Sequence, residues 1–393
     1  MRRRAFAKRV LVLAALVGGV TAGARSVHAQ AVPSKPMPTH YVEVRPLPPG
    51  SIAPSDAPAG PFADRQRFNT REGSSGGLSL VDPSSGEPGS VRFQLQLDSF
   101  PKDDFLRDGD GVGQGRQALA ASFTPGQYVE ASASLLGRGT SSEDPALGSL
   151  HAQSAVLGVK TWTPVFAPLH FGGDVRAVFH NELGGQLPVL KATSVGMRFA
   201  SAFDFRETST KLPLRVRGNL DYLFDNSALA AEDVEQARYR ALGEADNPFD
   251  ETRHLLTRFE RYALDISRVD LLSIGLGVEA PLSLGSKSSL HPLLEWRLGL
   301  PVNRRSFNCA LPSAAHAGTA QSDTDTCASD AGLSSFPSQL ALGLRVVPPV
   351  HGLSLSLGAE IGLTGTKDFV HELSPTSPLV VMFALGYADD AHE

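Results

Sequence analysis

The chain has 393 residues, 41% of them hydrophobic, and a formal net charge of -5. Its mean hydropathy is -0.08, and after the N-terminus no run approaches the roughly 18 consecutive apolar residues of a membrane helix. A helical membrane protein is therefore excluded, but a membrane barrel is not, because its apolar residues are spread at every second position. A net acidic chain without a basic cluster also gives no sign of nucleic-acid binding.

Residues 1–29 read as a signal peptide. Arg2, Arg3, Arg4, Lys8 and Arg9 form the charged region, Val10–Val20 the apolar core, and Val27-His28-Ala29 the small-residue cleavage site before Gln30. Arg3-Arg4-Ala5-Phe6-Ala7-Lys8 also resembles a twin-arginine signal. The general secretory route is favoured, because a barrel with a lipid-facing exterior cannot fold before it meets a membrane. Cleavage removes six basic residues and no acidic ones, leaving 30 basic against 41 acidic, a net charge of -11. Residues 30–90 shift to Pro, Gly, Ser and Asp. Such a composition reads as a disordered spacer. A segment threading into a lumen as a plug is the alternative that composition leaves open.

Residues 91–388 carry the recurring signal, followed by a short tail at 389–393. In Val91–Phe100, Val91, Phe93, Leu95 and Leu97 alternate with Arg92, Gln94, Gln96 and Asp98. Successive strand side chains point to opposite faces, so this is a ribbon with one apolar and one polar face. Ten residues is about the length with which a tilted strand crosses a bilayer. The pattern returns at residues 116–124, 127–137, 152–163 (with mixed faces), 169–180, 193–206 and 212–224. A break at residues 228–259 suits surface helices, one around Glu232–Leu242 and one over Glu251–Glu260. Alternation resumes at 272–279, 292–300, 339–346, 353–361 and 379–387.

That is about twelve strands. Long connections are expected near residues 101–116, 139–150, 181–192, 225–262, 301–336 and 363–377, with short ones between. Outer-membrane barrels sort loop length in this way, with short periplasmic turns and long external loops. The expected fold is an all-β, antiparallel, up-and-down transmembrane barrel with a short helix in one external loop. Its first strand should pair with its last, because closure leaves no unpaired edge in hydrocarbon.

The stretch Leu214–Ser227 resembles a family of outer-membrane β-barrels from myxobacteria and relatives. The likeness continues at Arg268-Val269-Asp270, Leu294-Glu295-Trp296, Pro301-Val302-Asn303-Arg304, Thr364-Gly365-Thr366-Lys367 and Glu372-Leu373, and covers about Gly76–Tyr387. It implies location and fold rather than an activity. Members are often joined to an OmpA-like domain, which is not expected here, so a cell-wall anchoring role does not carry over.

Barrel enzymes need a nucleophile and base on one strand face, or clustered acids beside a His-Asp pair. No His-x-Ser occurs, and Asp103-Asp104 has no such His-Asp partner, so no catalytic residues are expected. No cofactor is expected either. Asp108-Gly109-Asp110-Gly111 lacks the closing Glu of a calcium loop and reads as a turn, so no metal site is expected. Cys309 and Cys327, in one polar stretch of an exported chain, are expected to form a disulfide, closing a loop for roughly 3 kcal/mol of stability.

The candidate lumen-lining residues are Arg92, Asp98, Glu130, Asp174, Arg176, Arg198, Arg215, Arg217, Asp221, Glu279, Glu295, Arg297, Arg345 and Glu360, with Arg206 at the end of its strand. Both signs occur in similar number, which favours pairing across a narrow lumen over an ion-selective ring. The sequence points to a narrow pore or passive channel for small polar solutes in the outer membrane. The alternative is a structural or surface-interaction barrel acting through its external loops. Expected partners are outer-membrane lipid and the barrel-assembly machinery, with no nucleic acid and no oligomeric state implied.

Overall fold

The computed structural model describes residues 68–103, 105, 111–142, 149–163, 168–181, 190–209, 211–241, 256, 258–285, 288–302, 336–366, 374 and 376–389. The alternating segments form strands β1 (Val91–Asp103), β2 (Gly111–Gly126), β3 (Val129–Ser142), β4 (Ser149–Trp162), β5 (Leu169–Asn181), β6 (Leu190–Asp204) and β7 (Arg215–Phe224). After the helical break come β8 (Asp270–Glu279), β9 (Leu282–Ser283), β10 (Ser289–Val302), β11 (Ser338–Val347), β12 (Leu353–Thr364) and β13 (Leu379–Asp389). β9 is only a two-residue flap on β10, so twelve strands make the wall.

Neighbouring wall strands pair antiparallel, and β1 closes the ring on β13 with Phe93 opposite Tyr387, Leu95 opposite Leu385 and Leu97 opposite Phe383. The expected pairing of first and last strands is therefore present. Closure also places both strand ends, Val91 and Asp389, at one end of the barrel.

The two faces separate as the alternation requires. On β1, Leu95 and Leu97 point outward, 44% and 47% exposed, while Arg92 is 1% exposed and points inward. Leu157, Val175, Phe199, Leu276, Leu342 and Val381 continue the apolar band around the outside. In water such a surface would be a large uncovered patch; in hydrocarbon it is solvated.

Loop lengths depart from the expectation. β1 and β2 stay paired up to Asp103 opposite Gly111, and β2 and β3 up to Val112 opposite Ser142. The expected long connections at 101–116 and 139–150 shrink to residues 104–110 and 143–148. Hydrogen-bonded strand pairing runs past the apolar band through Gly, Gln, Ser and Thr, where alternation of apolar and polar residues has ended. The sorting of long and short connections is clear only in the second half of the barrel, where 225–269, 303–337 and 365–378 are long.

The long connection between β7 and β8 holds helix α1 (Glu232–Tyr239), as expected, and α2 (Arg258–Leu264), which lies C-terminal to most of its expected span. Cys309, Cys327 and the Asp108–Asp110 turn fall outside the described residues, as do residues 1–67.

Candidate functional site: a charged lumen and its occupant

The inward face of each strand carries the candidate residues. Arg92, Glu130, Arg215, Arg217, Glu295 and Arg345 are almost wholly buried, and Asp98, Asp174, Arg176, Arg198 and Glu279 are nearly so. Buried charges must be paired and hydrogen-bonded. Here much of the pairing comes from residues 68–90, which run inside the barrel.

This corrects the spacer reading of residues 30–90 for the part the structure describes. The segment folds on itself through short bridges, Asn69 with Ser75 and Gly76 with Val81. Its Ser, Gly and Asp residues supply what a charged wall needs: backbone N–H groups, carbonyls, hydroxyls and carboxylates. A composition that cannot make an apolar core of its own is well suited to filling a polar lumen.

The contacts reach around the circumference. Glu295 on β10 accepts the backbone N–H of Leu78 at 3.0 Å, of Ser79 at 2.8 Å and of Leu80 at 3.2 Å, and the Ser79 hydroxyl at 2.9 Å. Arg345 on β11 donates to the Gly76 carbonyl at 2.8 Å and the Gly77 carbonyl at 2.5 Å. Asn219 on β7 exchanges two bonds with the Val81 backbone, at 2.8 and 2.9 Å. On β3, Glu130 accepts from Ser74 Oγ at 2.8 Å and Ser75 N at 3.0 Å, and also bonds Ser85. Lys160 on β4 bonds Ser75 Oγ at 2.6 Å and lies 3.1 Å from Glu130. Asn69 accepts from Ser122 on β2, Arg71 approaches Asp98 on β1, and Leu78 packs with Leu293, Ala341 and Met382.

Two carboxylates of the segment sit among arginines of β5, β6 and β7. Glu72 lies 2.6 Å from Arg198 Nη2 and 3.4 Å from Arg176 Nε. Asp82 lies 2.8 Å from Arg217 Nε and 3.1 Å from Arg215 Nη2. Asp221 on the wall bonds Arg176 at 2.7 and 3.0 Å and Arg198 at 3.3 Å, and Glu279 bonds Arg217. The wall is shaped to the segment as well as charged toward it. A Cβ on Gly172 would stand 2.1 Å from the Pro83 carbonyl oxygen, and one on Gly275 would stand 2.3 Å from Leu80 Cδ2.

At the opposite end, α2 closes over the mouth. Phe259 and Tyr262 join Phe100, Phe105, Val112 and Val380 in a buried cluster, with the Phe105 and Tyr262 rings 4.9 Å apart, edge to face. Tyr262 Oη lies 2.7 Å from Ser377 Oγ, and Arg138 holds the Tyr262 carbonyl at 3.0 Å and Asp265 at 2.9 Å. Arg297 bonds its β11 neighbour Gln339 at 2.9 Å, and Arg206 pairs with Asp204 in the turn after β6 rather than in the lumen proper. Glu360 is half-buried on β12.

Sequence reasoning missed several of these groups. Lys160 was hidden by the mixed faces of β4, and Glu72 and Asp82 by the Ser/Gly composition around them. It also missed Ser289-Leu290-His291, where Ser289 Oγ lies 2.8 Å from His291 Nε2 and His291 Nδ1 lies 2.7 Å from Glu279. The signal was a Ser-x-His on one strand face, the reverse order of the pattern considered. All three residues are buried in the lumen wall, with Phe68 edge-on to the imidazole at 5.5 Å. A groove of about 660 Å³, lined by Val159, Val175, Met197, Phe199 and Leu220, lies on the lipid-facing outside and is no solute path.

A closed antiparallel ring, apolar outside and charged inside, defines a transmembrane β-barrel. No family model and no curated protein matches the chain. Among solved structures it is similar to an outer membrane channel from Pseudomonas putida F1, at 10% identity and TM-score 0.45, covering 80% of this chain and 100% of that one. It is also similar to the translocator domain of the autotransporter NalP from Neisseria meningitidis, at 12% identity and TM-score 0.37, covering 78% and 89%. A third is the KdgM porin, at 5% identity and TM-score 0.34, covering 77% and 99%. The barrel assignment stands on the chain's own strand pairing and faces.

Proposed function

We propose that the protein is an outer-membrane channel held closed by its own residues 68–90. The observation that carries this reading is the character of the contact between that segment and the wall. It is built mainly from hydrogen bonds and ion pairs, which water can replace when the segment moves. The short-turn end, where Val91 and Asp389 meet, faces the periplasm, and α1 and α2 face outside. Outer-membrane lipid solvates the exposed band, and the assembly machinery inserts the chain. The likeness to myxobacterial outer-membrane barrels agrees with this location.

The test is conductance in a planar bilayer. The native protein is expected to remain mostly closed, with rare openings. The full-length variant Glu295→Gln/Asn219→Ala, which loosens the segment at two strands, should conduct far more often while keeping the heat-dependent gel shift of a folded barrel. A folded variant that never conducts would remove the channel reading in favour of a structural barrel.

A further inference from the structure

The lumen segment brings two of its three acidic groups, Glu72 and Asp82, to the arginines of three neighbouring strands, and this suggests what the channel binds when open. Each carboxylate meets a pair of guanidinium groups: Arg176 and Arg198 for Glu72, Arg215 and Arg217 for Asp82. Guanidinium pairs are well matched to planar carboxylates, and charge-assisted bonds of this type are the strong ones. The Asp82 site is deeply buried, the Asp82 side chain being 3% exposed. The Glu72 side chain keeps 37% exposure, so its site is the more open of the two. Asp221, 15% exposed, belongs to the wall and stays when the segment leaves. Asp174 and Glu279 also stay, beside Arg176, Arg198 and Arg217. Withdrawing residues 68–90 therefore strips two carboxylates from four arginines and makes the lumen along β5, β6 and β7 more positive than in the closed state.

On the reading that this is a closed channel, we propose that Glu72 and Asp82 occupy the places of a solute's carboxylates. The open lumen is then selective for small carboxylated anions, which bind at Arg176/Arg198 and Arg215/Arg217. The segment acts as a tethered competitor. Free solute and the partly exposed Glu72 carboxylate exchange at Arg176/Arg198 first, and the buried Asp82 pair follows.

The experiment uses the full-length double variant Glu72→Gln/Asp82→Asn, which removes both anchors and keeps the chain length, with succinate as the probe. In a KCl gradient its reversal potential should lie on the chloride side, and succinate should block the chloride current. In detergent the same variant should bind succinate saturably by calorimetry. Adding Arg215→Gln and Arg217→Gln should weaken both block and binding by about tenfold or more, the loss of one charge-assisted pair. Conduction that is cation-selective, or succinate that neither blocks nor binds, overturns the inference while the closed-channel reading stands. A folded variant that binds succinate but never conducts keeps the site and removes the channel. One that neither conducts nor binds removes both.

Discussion

The Leu78 backbone N–H donates to Glu295 Oε1 at 3.0 Å, joining a loop of the lumen segment to a strand 217 positions away. Ser79 and Leu80 turn their own N–H groups to the other carboxylate oxygen, so Glu295 sits in a nest of three successive backbone donors. Hydrogen bonds to a charged acceptor contribute roughly 1.5–3 kcal/mol each when buried. Glu295→Gln keeps the shape and loses the charge. We expect the segment to loosen by about 2–4 kcal/mol, seen as faster tryptic cleavage after Arg71 with the barrel intact. Cleavage at the native rate would show that the nest does not hold the segment.

Gly172 offers a steric test of the same contact. Its missing side chain leaves room for the Pro83 carbonyl, which an added Cβ would approach to 2.1 Å. Backbone cannot swing aside as a side-chain tip can, so Gly172→Ala should push residues 82–84 away from β5. The expected outcome is a channel that opens more often, with an unchanged gel shift of the unboiled protein. Loss of the gel shift would instead place the damage in the wall.

Acidity should act on the two ends of the barrel differently. Burial alone would raise the Glu72 and Asp82 carboxyls, but the arginine pairs outweigh it and hold both well below the usual carboxylate range. A depressed native value contributes stability that is present above the unfolded value and is lost only as pH falls through the native one. Acidifying from neutral to about pH 4, the unfolded carboxylate value, should therefore leave the channel closed. Conductance that rises steeply between neutral pH and that value would contradict these assignments.

How much of this was legible in the sequence follows from what each residue packs against. The wall strands alternate because one face meets lipid and the other a polar lumen, so Val91–Phe100 and its repeats, and the closure on Leu379–Tyr387, were readable. Arg92, Glu130, Arg215, Arg217, Glu295 and Arg345 are buried on the inner side of the wall, whereas Arg297 and Glu360 are only half-buried. The occupant was not readable, because residues 68–90 have no periodicity of their own. Their conformation is set by wall groups such as Glu130, Glu295 and Arg345 that lie far away in sequence. Loop lengths were overestimated for a related reason. Strand pairing past the membrane is held by backbone bonds between small polar residues, which look like loop.

Ser289, His291 and Glu279 form a chain of hydrogen bonds with the order of a nucleophile, base and acid. In this barrel Glu279 also binds Arg217, and all three side chains are buried behind Phe68. A nucleophile needs room for a substrate carbonyl and donors for the oxyanion. We therefore expect a fluorophosphonate probe to leave Ser289 unlabelled in both the native protein and the Glu72→Gln/Asp82→Asn variant. Labelling that disappears in Ser289→Ala would show that this chain is reactive.

The loop end should show the opposite pH response. Burial pushes the Asp225 carboxyl, just past the end of β7, up to about 6, even though Ser227 and Ser194 donate to it. A group with a raised native value contributes stability that is fully present below the unfolded value and is lost as pH rises through the native one. The loop that begins at Asp225 and carries α1 and α2 should therefore be firmer in mild acid than at neutral pH. Proteolysis after the exposed Arg240 is the measurement. With a protease active across this range, cleavage should accelerate as pH rises through about 6 in the native protein. In Asp225→Asn, which cannot ionise, the acceleration should disappear and the acid-side rate should persist to neutral pH. A native rate that is flat across that interval would mean that Asp225 is ionised throughout and that its burial does not govern the loop.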